Sequence, residues 1–187
     1  MTTRRAIVTS LAGLLLAGDG RAQAGPWAGL RAPGHFALIR HALAPGTYDP
    51  PGYRLDDCST QRNLSDEGRA QAVRIGDLFR ANGIATARVY SSQWCRCLET
   101  ASLLKLGNVS PQPLLNSFAQ DRDRAVQQTA AVRPWIAQLD LTGPTVMVTH
   151  QVVITALSEI FPGSGEIVVM RREADGRLTV TGRLPTA

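Results

Sequence analysis

The chain has 187 residues, 44% of them hydrophobic, with 20 Lys or Arg against 15 Asp or Glu and a formal net charge of +5. That length bounds a single domain with room for a substantial core, and the composition excludes a disordered, fibrous or repeat protein. Three of the basic residues, Arg4, Arg5 and Arg21, stand against Asp19 within residues 1–24 and contribute +2; the remaining +3 holds one lysine, Lys105, and no basic run, so charge makes no case for a nucleic-acid partner.

Arg4 and Arg5, the apolar stretch Ala6 to Gly18 and then Ala22-Gln23-Ala24 together read as a signal peptide cleaved after Ala24. The stretch is too short to span a bilayer and holds two glycines. Thr3-Arg4-Arg5 suits twin-arginine export, with the general route equally open. By either route the mature chain is expected to be periplasmic or otherwise extracytoplasmic, without a stable membrane anchor, and its cysteines to meet an oxidising environment. Residues 25–34, with two prolines and three glycines, are expected to be an extended lead-in, and residues 35–187 the domain proper.

The apolar run Phe36-Ala37-Leu38-Ile39 ends abruptly in Arg40-His41 and predicts a buried first strand. Leu43 to Thr60, with Pro45, Pro50 and Pro51, is expected to be a long loop at that strand's C-terminal edge. Ser65 begins a helix as N-cap, Ala72, Ile75, Gly76 and Phe79 recur at helical spacing, and Gly83 closes it. Arg88 to Ser92 predicts the second strand, and Trp94 to Lys105 a helix with Leu98, Ala101 and Leu104 on its apolar face. A short strand is expected near Leu114, then a helix from Asp123 to Leu139, broken or kinked near Arg133 by Pro134. Thr145 to His150 forms a strand that ends as the first does, and Val152 to Phe161 a helix; Glu166–Arg172 and Leu178–Arg183 form a hairpin around Ala174-Asp175-Gly176. This order specifies an α/β fold, a three-layer sandwich with a mostly parallel central sheet flanked by helices.

A lone histidine is more often a satisfied core residue than a catalyst, but His41 and His150 both end buried strands, where open α/β sheets place ligands. Arg40 and Arg96 reach the same edge. Guanidinium groups offer fixed planar donors that match phosphate oxygens, and a neutral imidazole can attack phosphorus and be freed again by hydrolysis.

Leu38-Ile39-Arg40-His41-Ala42 resembles the arginine-histidine-glycine signature of the histidine phosphatase superfamily, the phosphoglycerate-mutase-like fold. Arg62 to Ala72 resembles its first-helix segment, Tyr90 to Ala101 the strand-to-helix motif with the second phosphate arginine, and Val148-Thr149-His150-Gln151 the segment with the second histidine. The resemblance spans about His35 to Leu184. It implies His41 as a nucleophile that becomes phosphohistidine, Arg40, Arg96 and His150 as the phosphate shell, and Arg62 as a pocket residue. Ala42 and Gln151 depart from the family pattern. Larger members place a glutamate acid where this chain reads Leu114 to Phe118 without a carboxylate, so the proton donor is open among Asp49, Asp57, Asp121 and Asp123.

Three cysteines in an exported chain permit one disulfide and one free thiol. Cys95 and Cys97 sit too close on one helix to pair easily, and Cys58 with Cys95, on the more polar face, is the favoured bridge. Zinc is the competing reading, but the paired spacing of a structural site is missing, and no metal or cofactor is expected. The expectation is an exported phosphomonoesterase acting on a small-molecule or lipopolysaccharide-type phosphate. A non-catalytic phosphate-ligand binder of the envelope and a phosphomutase are the alternatives. Oligomeric state is not legible.

Overall fold

A computed structural model describes residues 25–186; the expected signal peptide lies outside the described residues. Helix α1 spans Pro26–Arg31, β1 His35–Arg40, α2 Asp66–Ala81, β2 Arg88–Ser91, α3 Cys95–Leu103 and β3 Val109–Pro111. Helix α4 spans Ala125–Gln138, β4 Thr145–Thr149, α5 Gln151–Ser158, β5 Ile167–Arg172 and β6 Leu178–Leu184. The six strands form one sheet in the order β3-β2-β4-β1-β5-β6. β3, β2, β4 and β1 run parallel, while β5 and β6 add an antiparallel edge.

Alternation along β1 shows how the layers arise, because successive side chains of a strand point to opposite faces. Ala37 and Ile39 pack with Ile75, Phe79, Cys97 and Ala101 beneath α2 and α3, whereas Phe36 and Leu38 pack with Val132, Ile136, Val153 and Ile154 beneath α4 and α5. The result is the three-layer α/β sandwich the element order specifies. No helix among the described residues is long and apolar enough to cross a membrane.

The register of β1 against β4 builds the site. Arg40 lies opposite Thr149, and the His41 amide donates to the Thr149 carbonyl (2.9 Å), so His41 and His150 emerge side by side. β2 follows on the other side of β4, where the Ser92 amide donates to the Val148 carbonyl (2.9 Å) and reaches the same edge. Helix α2 starts as expected, with Ser65 Oγ accepting from the Gly68 amide (3.0 Å). At Gly68 the helix docks so closely on the chain just past β1 that a Cβ would lie 2.0 Å from the Leu43 carbonyl oxygen, two residues beyond His41.

Four sequence expectations need correction. The lead-in contains a helix: Pro26 supplies the preset φ of a first helical residue, and Leu30 and Trp27 anchor it on the core, Trp27 meeting Phe79 edge-on at 5.1 Å between centroids. The strand expected near Leu114 lies earlier, where Val109 pairs with Val89; Pro113–Leu115 instead forms a 3₁₀ turn capped by Gln112. Helix α4 runs on through Pro134. An interior proline costs ~3 kcal/mol, which burial of Val132 and Ile136 offsets at about 2 kcal/mol each. Leu98 is only half-buried, and Cys97 takes the inward position beside Ala101 and Leu104.

Candidate active site

Arg40, His41, Arg62, Arg96 and His150 line one small pocket of about 70 Å³, together with Thr47, Tyr48, Asp49, Ser117, Ala119, Gln120, Gln151 and Val152. Five positions singled out in the sequence therefore converge, although they are spread over more than a hundred residues. The His41 and His150 rings stand 5.5 Å apart between centroids, and both residues are almost fully buried, at 2% and 3% exposure.

Each histidine is held by its second nitrogen. His41 Nδ1 lies 2.8 Å from the Ala42 carbonyl oxygen, which can only accept, so Nδ1 carries the proton and Nε2 keeps its lone pair. His150 Nε2 lies 2.8 Å from Ser92 Oγ, whose hydroxyl donates to Asn116 Oδ1 (3.2 Å). His150 Nε2 therefore donates to Ser92, leaving Nδ1 toward Arg96 Nη2 at 3.5 Å. Cys97 Sγ sits 3.4 Å from the same Nε2, but burial pushes this thiol up to about 12 and keeps it protonated and inert.

Burial foremost, then the charge of Arg96, holds both imidazoles well below their ordinary range; the bond to Ala42 opposes this for His41 without overturning it. His41 is thus a neutral base at and below neutral pH. Stability is linked to the same fact. Below pH ~6.5 the unfolded chain binds protons on these two histidines that the native chain does not, so stability falls as pH drops, by ~1.4 kcal/mol per pH unit for each. Denaturant unfolding at pH 7.5 and 5.5 measures this, and equal midpoints would contradict it.

The arginines form a cluster short of partners. Arg40 Nη1 donates to the Pro162 carbonyl (2.9 Å), and Arg62 Nη1 to the Ala44 and Gly46 carbonyls. Burial and mutual repulsion pull Arg62 down to about 10 and lower Arg40 as well. Arg40, Arg62 and Arg96 each keep a buried Nε–H without any hydrogen-bond partner. Three such orphaned donors on one pocket's lining are what an anion site looks like when empty of protein acceptors.

Of the four carboxylates considered as proton donors, three lie elsewhere. Asp121 is exposed and paired with Arg124, Asp123 is exposed, and Asp57 caps a 3₁₀ turn and pairs with Arg54. Asp49 does line the pocket but accepts from Arg96 Nη1 (2.8 Å) and Nη2 (3.1 Å), Trp94 Nε1 (3.0 Å) and the Arg62 amide (2.9 Å). Burial alone would push its carboxyl up, yet these donors, Arg96 first, hold it below the usual range. A carboxylate so stabilised in its charged form is a poor acid. Asp49 is thus held as a carboxylate, and Asp121, the other expected donor, lies outside the pocket lining. Among the described residues no three His, Cys, Asp or Glu side chains gather as a metal-ligand set.

Cys58 and Cys95 are joined in a disulfide, and Cys97 is free. The bridge ties the turn before Arg62 to the first residue of α3, next to Arg96. It closes a loop across a separation of 37 residues, for which chain entropy assigns about 4 kcal/mol. Cys58→Ser is expected to lower unfolding stability by that order, as read from denaturant melts; an unchanged midpoint would contradict it. Sequence reasoning missed Ser92 as the partner of His150 and the wall formed by Thr47, Tyr48 and Gln120. Ser92 stood inside a recognised block, but loop contacts leave no periodic trace.

The family model described as histidine phosphatase superfamily, branch 1, matches residues 36–116. No curated protein sequence matches the chain significantly. Similar solved structures include the protein histidine phosphatase SixA complexed with tungstate, at 14% identity and TM-score 0.59, covering 81% of this chain and 97% of that one. A mycobacterial glucosyl-3-phosphoglycerate phosphatase complexed with VO3 is similar at 17% identity and TM-score 0.59, covering 78% and 95%. A phosphoserine phosphatase mutant from Entamoeba histolytica in complex with phosphoserine is similar at 16% identity and TM-score 0.59, covering 81% and 97%. At these identities the likeness is one of fold.

Proposed function

The chain belongs to the histidine phosphatase superfamily, and from that premise we propose that it is a phosphomonoesterase working through phosphohistidine at His41. One observation carries the reading: His41 Nε2 keeps its lone pair in a pocket where three arginines hold unpartnered Nε–H donors. Arg40, Arg62 and Arg96 bind the phosphate and take up charge spread over its oxygens. His41 Nε2 attacks phosphorus as the ester oxygen leaves, and water then releases phosphate from the imidazole. His150, fixed by Ser92, lines the same pocket with its Nδ1 toward Arg96 Nη2.

The proton supply shapes the choice of leaving group. Because Asp49, the pocket's one carboxylate, is bound to Arg96, leaving groups that need little protonation are favoured. Aryl phosphates should show a kcat/KM at least ~100-fold above that of simple alkyl phosphates, following the contribution usual for a general acid, because kcat/KM reports the step in which the leaving group departs. Equal kcat/KM values in a phosphate-release assay would show an unrecognised donor.

The disulfide supports placing the protein outside the reducing cytoplasm. Envelope sugar phosphates, including those of lipopolysaccharide, therefore belong in the substrate screen beside nucleotides, inositol phosphates and phosphopeptides. The test is phosphate release by the mature protein over this set with His41→Ala as control. Release that survives in the variant would end the proposal.

A further inference from the structure

The geometry points to Asp49 as the positioning residue that sets Arg96 for phosphate, holding the outer edge of its guanidinium so that the other edge is left for the substrate. The inference rests on reading Arg96 as a phosphate ligand.

A guanidinium has five N–H donors on two usable edges. Asp49 takes the end-on edge, with Oδ1 on Nη1 (2.8 Å) and Oδ2 on Nη2 (3.1 Å), while the Arg62 carbonyl accepts from Nη1 as well (3.2 Å). What remains is the lateral edge, Nε–H with the second hydrogen of Nη2. Nε–H is buried and has no protein partner, and the other polar contact of Nη2, beyond Asp49, is His150 Nδ1 at 3.5 Å, the outer limit of a hydrogen bond. A planar fork fixed along one edge presents its other edge in one orientation, which a point charge could not do.

Asp49 is itself fixed from several sides. Trp94 Nε1 donates to Oδ2 (3.0 Å) and the Arg62 amide to Oδ1 (2.9 Å). Gln120 brackets its backbone, accepting from the Asp49 amide (3.0 Å) and donating to its carbonyl (3.2 Å). The long loop, the turn before α2, the start of α3 and the 117–120 segment thus meet at one residue. Asp49 and Arg96 are 5% and 3% exposed, so the pair is little screened by solvent.

The sign of the effect separates this role from the alternatives. A bystander negative charge beside an anion site opposes binding, and so does a carboxylate competing with phosphate for Arg96; removing either tightens binding. A positioning carboxylate does the reverse. Orthophosphate binding by the mature protein is measured by titration calorimetry for the wild type, Asp49→Asn, Arg96→Lys and the double variant. Asp49→Asn is expected to weaken binding at least ~10-fold, and in the Arg96→Lys background, where no fork exists to orient, by less than ~2-fold. Trp94→Phe, which removes one donor to Asp49 and keeps a ring in place, is expected to weaken binding several-fold, and serves if Asp49→Asn fails to fold. Tighter or unchanged binding in either variant, or equal weakening by Asp49→Asn in both backgrounds, would overturn the inference. A wild type that binds no orthophosphate would instead overturn the phosphate-site reading.

Discussion

His41→Ala is expected to lower hydrolysis of p-nitrophenyl phosphate by at least ~10⁴-fold, the order of loss seen when a covalent nucleophile is removed while binding groups remain. Every feature around this imidazole favours one use of it. Its Nδ1 is committed to the Ala42 carbonyl, and burial keeps it neutral, so the Nε2 lone pair is available across the working pH range. The variant keeps the arginines and His150, so orthophosphate should still bind within a few-fold of wild type. Loss of hydrolysis together with loss of binding would point to collapse of the pocket rather than loss of a nucleophile. Retained hydrolysis would remove His41 from the mechanism.

Arg96→Ala is expected to fail in two ways at once. The substitution leaves the Asp49 carboxylate buried without its counter-charge, and breaking a buried pair from one side costs about 3–5 kcal/mol. On the proposed mechanism it also removes a phosphate donor, and the loss of one such preorganised group is expected to cost ~10²–10³ in kcat. Denaturant melts report the first effect, and aryl phosphate kinetics well below the melting temperature report the second. Arg96→Lys should recover part of the stability, since a positive charge stays near Asp49, and little of the rate, since an ammonium cannot make two parallel contacts. Full recovery of rate by lysine would contradict the role given to the fork.

The contrast between β1 and the loop after it shows where sequence reading succeeds. β1 and β4 are continuous apolar runs closed by His41 and His150, and a buried parallel strand has no other way to read. Their partnership brought the histidines together, and the motif blocks placed Arg40, Arg62 and Arg96. Asp49 was legible as a loop carboxylate and a candidate proton donor, not as the partner of Arg96. Its meaning depends on Arg96, 47 residues away, and on Trp94, 45 residues away, contacts that no local pattern encodes. Helix α1 was hidden for a similar reason, since the glycines and prolines of residues 25–34 suggest extended chain until Leu30 and Trp27 find Phe79 and its neighbours. The disulfide was legible because parity and helix spacing left few pairings.

Double displacement through an enzyme nucleophile leaves a stereochemical signature that can be read without an intermediate accumulating. An aryl thiophosphate made chiral at phosphorus with oxygen-18 is hydrolysed in water enriched in oxygen-17, and the configuration of the released thiophosphate is determined. Two successive in-line steps, to His41 and then to water, predict net retention; inversion would mean that water attacks the ester directly, with His41 never phosphorylated.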